Sequence, residues 1–228
     1  MHSLLVKLKD LEREKRSVII LAIDDPEFFE ENFFKKIKDY VIGIKIGLPI
    51  FLTFGLKIGE ILQKFSENFV FIADLKIADI PYISALTANM IKKLGFDAII
   101  AHAFVGEDTI EAIKKEISVI CVVAMSSAGS ILLDHHFLEL LNMCNKLKVE
   151  GIVAPANKLD ILKKIRENTH LKIFTPGIGV QGGSYELALK YGADYLIIGR
   201  SILQSKNPIL ELEKILNKIH EGGNNYFI

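Results

Sequence analysis

The sequence has no excess of either charge: 28 Lys and Arg balance 28 Asp and Glu, and charged residues make up 25% of its 228 positions. Without a net field the chain has no general attraction for nucleic acid or an anionic membrane, so an acidic or phosphorylated ligand must be held by local charges. Cysteine is scarce. Cys121 and Cys144 form no CxxC pair and fall in apolar or helical stretches, as expected of reduced thiols packed as small hydrophobes in the cytoplasm. No apolar run reaches membrane-spanning length. The opening residues are charged and amphipathic, without the long apolar stretch and small-residue cleavage site of a signal peptide. The sequence also has no HExxH or zinc-type Cys/His spacing, no GxGxxG after the first apolar run, and no Gly-Lys-Ser/Thr ending of a nucleotide P-loop. These absences point to a soluble cytoplasmic protein that calls for no metal or cofactor and partners neither nucleic acid nor membrane.

What the sequence does contain is a repeat of short apolar runs, at 17–23, 41–46, 69–74, 97–102, 118–125, 149–154, 171–175 and 194–199. They are continuously apolar and rich in β-branched residues, the pattern of parallel strands buried on both faces. Amphipathic segments separate them, for example 26–40, 84–95 and 156–168, and these read as helices. Eight βα units fit an α/β fold of one domain over residues 1–228, a closed (β/α)8 TIM barrel. Residues 1–16 form an N-terminal helical extension, with a helix over 3–14 placed to cover the barrel bottom. A doubly wound open sheet is the runner-up, but its usual six strands would leave two units spare.

In such a barrel the strand C-termini converge on one ligand-binding face. The polar residues at those ends are Asp24, Lys45, Asp74, Lys76, Ser126, Ser127, Gln181 and Arg200. The stretch TPGIGVQGG, 175–183, places Gly177, Gly179, Gly182 and Gly183 around Gln181, just before a short helical pattern with Ser184 as its expected cap. Glycines let backbone N–H groups approach an anion closely. The next unit ends in Gly199 and Arg200, whose guanidinium can take a phosphate bidentately. In the third unit Asp74 and Lys76 are two residues apart, so on a continuing strand their side chains point the same way, ~7 Å apart at the backbone. Lys45 on the neighbouring strand reaches the same carboxylate. Asp79 follows in a short loop stiffened by Pro81, which suits a first helical position and keeps Ile80 extended. A purely structural salt-bridge network would need enough partners to satisfy every one of these charges.

The combined pattern resembles the orotidine 5'-monophosphate decarboxylase family. The resemblance is carried by DLKIADIP (74–81), AIDDP (22–26), GIKIG (43–47), AMSSAG (124–129), TPGIGVQGG and IIGRSI (197–202), and so spans most of the chain. It implies a cofactor-free decarboxylation of orotidine 5'-monophosphate to uridine 5'-monophosphate and carbon dioxide. Lys76 would be the proton donor in a network of Lys45, Asp74, Lys76 and Asp79. The chain would form a homodimer in which Asp79 enters from the other subunit and Ile80 helps wall the partner's pocket. Asp24 and Lys45 would contact the ribose, Ser126 the pyrimidine, Gln181 both phosphate and base, and Arg200 the phosphate, with Pro176 and Gly199 in the phosphate-loop region.

The chain departs from the family pattern at Ile83, where a threonine is common; Ser84 and Thr87 are the nearest hydroxyls. Two other readings remain. A magnesium-dependent sugar-phosphate decarboxylase or aldolase of a related barrel group would need oxygen ligands such as Glu107 or Glu150. A non-catalytic nucleotide-binding barrel would keep Arg200 and the glycine loop while losing the productive placement of Lys76. His102 is expected to pack or hydrogen-bond. His135 and His136 stand at a helix start without sharing a face, and Met125 and the cluster Phe28, Phe29, Phe33 and Phe34 are expected to pack in the core or between helices.

Overall fold

The computed structural model describes residues 3–221. It is an eight-stranded parallel barrel in which every strand pairs with its sequence neighbour and β8 closes on β1. In chain order the elements are α1 (Leu4–Lys15), β1 (Ile19–Ile23), α2 (Glu31–Ile37), β2 (Gly43–Gly47), α3 (Leu48–Phe54), α4 (Ile58–Lys64), β3 (Val70–Ile77) and α5 (Pro81–Lys93). They continue with β4 (Ala98–His102), α6 (Glu107–Lys114), β5 (Ser118–Val122), α7 (Ile131–Leu147), β6 (Gly151–Val153), α8 (Leu159–Glu167) and β7 (Lys172–Thr175). The last are α9 (Tyr185–Lys190), β8 (Tyr195–Ile198), α10 (Arg200–Leu203) and α11 (Pro208–Glu221). Among the described residues no helix is long and apolar enough to cross a membrane.

The strands are buried along nearly their whole length because one face fills the barrel and the other meets the helices. The Ile- and Val-rich runs supply both faces at once, which is why they do not alternate. Helix α1 starts where Ser3 accepts a hydrogen bond from the Val6 amide, and it buries Leu4, Leu8 and Leu11, one stripe at helical spacing. Its polar side chains reach the N-terminal ends of four strands. Lys7 pairs with Asp97 at 2.8 Å, Glu12 accepts from the Tyr195 hydroxyl, and Lys15 donates to the carbonyls of Val41 and Asn68. The helix therefore caps the barrel base, as expected.

Several boundaries move. The amphipathic segment 26–40 is not one helix. Asp25 caps a single 3-10 turn at Pro26–Phe28, and Glu30 returns to extended backbone before α2 begins. Phe29, Phe33 and Phe34 are buried, with Phe29 and Phe34 edge to face at 5.6 Å. The fifth run ends as a strand at Val122, because β6 is only three residues long and offers Val123 and Ala124 a single shared carbonyl, that of Val153. The third strand runs on past Asp74 to include Lys76.

Candidate active site

At the C-terminal mouth of the barrel lies a cavity of about 290 Å³. Its floor is apolar, made by Ala22, Ile100, Val122, Val153 and Ile197 from five of the strands. The expected Asp24, Lys45, Asp74, Lys76, Ser126, Pro176, Gly177, Gln181, Gly199 and Arg200 all line it. Strands separated by more than a hundred residues are thus brought together by barrel closure alone.

Two neighbouring strands set the charged row. Register pairs Gly47 with Asp74 and Lys45 with Ile72. Lys45, buried in β2, donates to Asp74 at 2.8 Å and to Asp24 at 3.1 Å, and Asp74 also accepts from Lys76 at 2.8 Å. Charges therefore alternate along Asp24, Lys45, Asp74 and Lys76. Gly47 makes room for this, since a Cβ there would lie 1.8 Å from the Asp24 carboxylate oxygen.

Burial alone would discourage both central charges, but each is outweighed by its partners. The Asp74 and Asp24 carboxylates hold the Lys45 ammonium above the usual lysine range, and Lys45 and Lys76 hold the Asp74 carboxyl below the usual carboxylate range. Asp74's contribution to stability is present above its unfolded value and is lost as pH falls through its lowered folded one. Lys45's is present below its unfolded value and is lost as pH rises through its raised one. Lys45 and Asp74 are therefore both charged across neutral pH.

Lys76 has a side chain 42% exposed at the mouth. It does not continue the pleat. Its φ of 44° is left-handed, and the β3–β4 register shifts between Ala73 and Ile77. A lysine held there costs about 1–3 kcal/mol, the kind of strain that persists where surrounding structure over-determines a residue. Asp79 lies outside its own chain's cavity. It is exposed, its carboxylate accepts from the Ile80 amide at 2.7 Å, and Ile80 is itself 61% exposed. Pro81 opens α5 as expected, with Ile80 extended. Near Ile83 the two hydroxyls are occupied: Ser84 donates to the Asp79 carbonyl and Thr87 to the Ile83 carbonyl.

Across the mouth, the glycine loop folds back on itself. The Gly179 amide donates to the Gly183 carbonyl, Gly182 to Gly179 and Gly183 to Gly177. Gly182 and Gly183 thus shape the loop from behind, while Val180 and Gln181 at its tip face the cavity. Ser184 caps α9 by accepting from the Leu187 amide. Arg200 is exposed at the rim.

Two residues that no motif announced hold the loop from Ser126 to Ser130. Asn157 donates to the Ser126 carbonyl at 2.9 Å, and Lys158 donates to the Ser127 carbonyl at 3.0 Å and the Ser130 hydroxyl at 2.7 Å while pairing with Asp134. In sequence they look only like the start of α8. Met125, expected in the packing, also lines the cavity. His102 stacks on Phe104 at 4.7 Å and does not line the cavity. Burial and then the Lys76 charge push its pKa down, and its buried Nδ1 has no hydrogen-bond partner among the described residues. His135 and His136 stand in the early turns of α7, where His136 meets Glu139 at 2.7 Å. The two glutamates that a magnesium site would recruit are engaged away from the cavity. Glu150 accepts from the Val119 amide at the strand's N-terminal end, and Glu107 pairs with Lys146 on the outer helices. Cys121 and Cys144 are free and buried.

Known proteins resemble this chain over most of its length. The model of the Orotidine 5'-phosphate decarboxylase / HUMPS family matches residues 17–215. The chain is 37% identical over 208 residues to the orotidine 5'-phosphate decarboxylase of Pyrococcus furiosus, covering 90% of this chain and 98% of that one. It is 41% identical over 193 residues to the corresponding protein of Methanocaldococcus jannaschii, covering 80% and 90%. Among solved structures, orotidine 5'-monophosphate decarboxylase from Methanocaldococcus jannaschii complexed with the inhibitor BMP superposes with a TM-score of 0.82 at 38% identity, covering 90% of this chain and 99% of that one.

Proposed function

Because the chain belongs to the orotidine 5'-phosphate decarboxylase / HUMPS family, we propose that it is a carboxy-lyase that converts orotidine 5'-monophosphate to uridine 5'-monophosphate and carbon dioxide without a cofactor. The observation that carries this is the alternating row of Asp24, Lys45, Asp74 and Lys76, in one cavity with Gln181 and Arg200.

The glycine loop and Arg200 take the phosphate, and Gln181 reaches from the phosphate toward the base. Ser126 meets the pyrimidine, Asp24 and Lys45 the ribose, and the apolar floor receives the ring. This seats the substrate carboxylate beside Asp74. The bond between that carboxylate and the ring carbon breaks, carbon dioxide departs, and the electron pair stays on the carbon in an in-plane orbital that the ring delocalises poorly. Lys76 stabilises the developing charge and then gives that carbon a proton; its amine is reprotonated by solvent. Opposite charges at 4 Å attract by roughly 4 kcal/mol at an effective dielectric of 20, which sets the scale of such stabilisation. It accelerates the reaction to the extent that it favours the transition state over the bound substrate. The ion pair to Asp74 holds the Lys76 ammonium in place before the ligand arrives.

The active form is a homodimer, with Asp79 completing the partner's row and Ile80 walling the partner's pocket. Asp79's position outside its own cavity supports this, as does the apolar surface beside it. Leu48, Leu52 and Leu56 around α3, and Ile80, Tyr82, Leu86 and Met90 around α5, are all half or more exposed. A purified sample should deplete orotidine 5'-monophosphate absorbance and release carbon dioxide. Tight nucleotide binding with no turnover would instead establish a binding protein.

A further inference from the structure

Beneath the glycine loop is a hydroxyl with nothing to bond. The Oγ of Ser201, in the first turn of α10, is buried and has no hydrogen-bond partner among the described residues. It is pressed against Gly179: a Cβ added to that glycine would lie 2.7 Å from the Ser201 Cβ and 2.9 Å from its Oγ. A buried hydroxyl without a partner is less favourable than the hydrogen an alanine would leave there. Such a group makes physical sense if another state of the same site employs it.

That other state is close at hand. Gly177, Gly179 and Gly182 all adopt left-handed φ, and Gly179 begins the turn whose tip, Val180 and Gln181, faces the cavity. A small rotation at Gly179 moves that tip and brings new backbone groups over Ser201. Ser201 itself directly follows Arg200, the cation on the opposite side of the loop.

We propose that Ser201 is a positioning residue for the phosphate grip. When the 177–183 loop settles on a bound phosphate, the Ser201 hydroxyl hydrogen-bonds the loop backbone and ties it to the Gly199–Arg200 segment, so that Gln181 and Arg200 close on one anion from two sides. This rests on the phosphate reading of the site given above, and it assigns to Ser201 no contact with the reacting atoms.

The test compares the full-length parent with Ser201→Ala in three measurements: steady-state turnover of orotidine 5'-monophosphate, calorimetric binding of uridine 5'-monophosphate, and thermal unfolding without ligand. The loss of one neutral hydrogen bond made only in the bound state predicts KM and Kd higher by roughly three- to tenfold, with kcat within about twofold of the parent. The unfolding midpoint of the free protein is expected to stay level or rise, because an unpaired hydroxyl has been removed. Unchanged KM and Kd would overturn the proposal, and so would a fall in the midpoint with kcat falling alongside, the signature of a purely structural role. A parent that neither turns over the substrate nor binds the product would overturn the phosphate reading, and the role of Ser201 with it.

Discussion

At the scale of single residues, Lys76 combines two demands. Its ammonium must stay beside Asp74 at the mouth, and its backbone is held left-handed to do so. Replacing it separates the two. Lys76→Ala is expected to lower kcat by at least about 100-fold, the lower range for losing a positioned proton donor, with the barrel still folded by circular dichroism. Lys76→Gly should be equally inactive yet more resistant to urea than Lys76→Ala by about 1 kcal/mol, because glycine takes that φ without a steric penalty. Equal stability of the two variants would show that the backbone there relaxes. Gly47 offers a second test. Its φ of −86° suits alanine, so Gly47→Ala acts only through the Cβ that collides with Asp24. The expected result is a folded protein that binds uridine 5'-monophosphate at least roughly tenfold more weakly, as the loss of about 1.4 kcal/mol would produce.

At the scale of elements, the strands were legible in the sequence and their ends were not. Eight apolar runs announce eight strands because burial on both faces leaves no alternation to misread. Lys45 and Asp74 could be grouped because they lie on adjacent strands, whereas Lys76 stays beside Asp74 although it leaves the pleat from which its direction was read. The left-handed turn at Lys76, the direct contact of Asp24 with Lys45, and the Asn157 and Lys158 props under the Ser126 loop depend on loop paths that no spacing encodes. The paired helices α3 and α4 and the position of Asp79 outside its own cavity bear on assembly. If each site takes Asp79 from the partner, inactive Lys76→Ala and inactive Asp79→Ala proteins should regain turnover when unfolded and refolded together. One of the two sites in each mixed dimer would then be intact. No regained turnover would place Asp79 outside the reaction or within its own subunit's site.

At the scale of the whole molecule, α1 closes the end of the barrel opposite the cavity, and Lys15 there lies over the Phe69 ring while donating to two carbonyls. Burial pulls its pKa down to about 8. Between that value and its ordinary one near 10.5 the unfolded chain holds the proton more tightly than the fold does, so stability from this site increases as pH rises. In urea unfolding, the parent should therefore gain on Lys15→Met between pH 7.5 and pH 9.5. A constant difference would mean that Lys15 keeps its charge throughout.

The pairing of β2 with β3 has one further consequence. Gly47 faces Asp74 and Lys45 faces Ile72 through main-chain bonds, so a slip of one residue would rotate Lys45 away from the interior and toward the surrounding helices. A compact but misaligned barrel would be catalytically silent, and recovery of turnover after refolding would report correct strand alignment more stringently than recovery of helical signal.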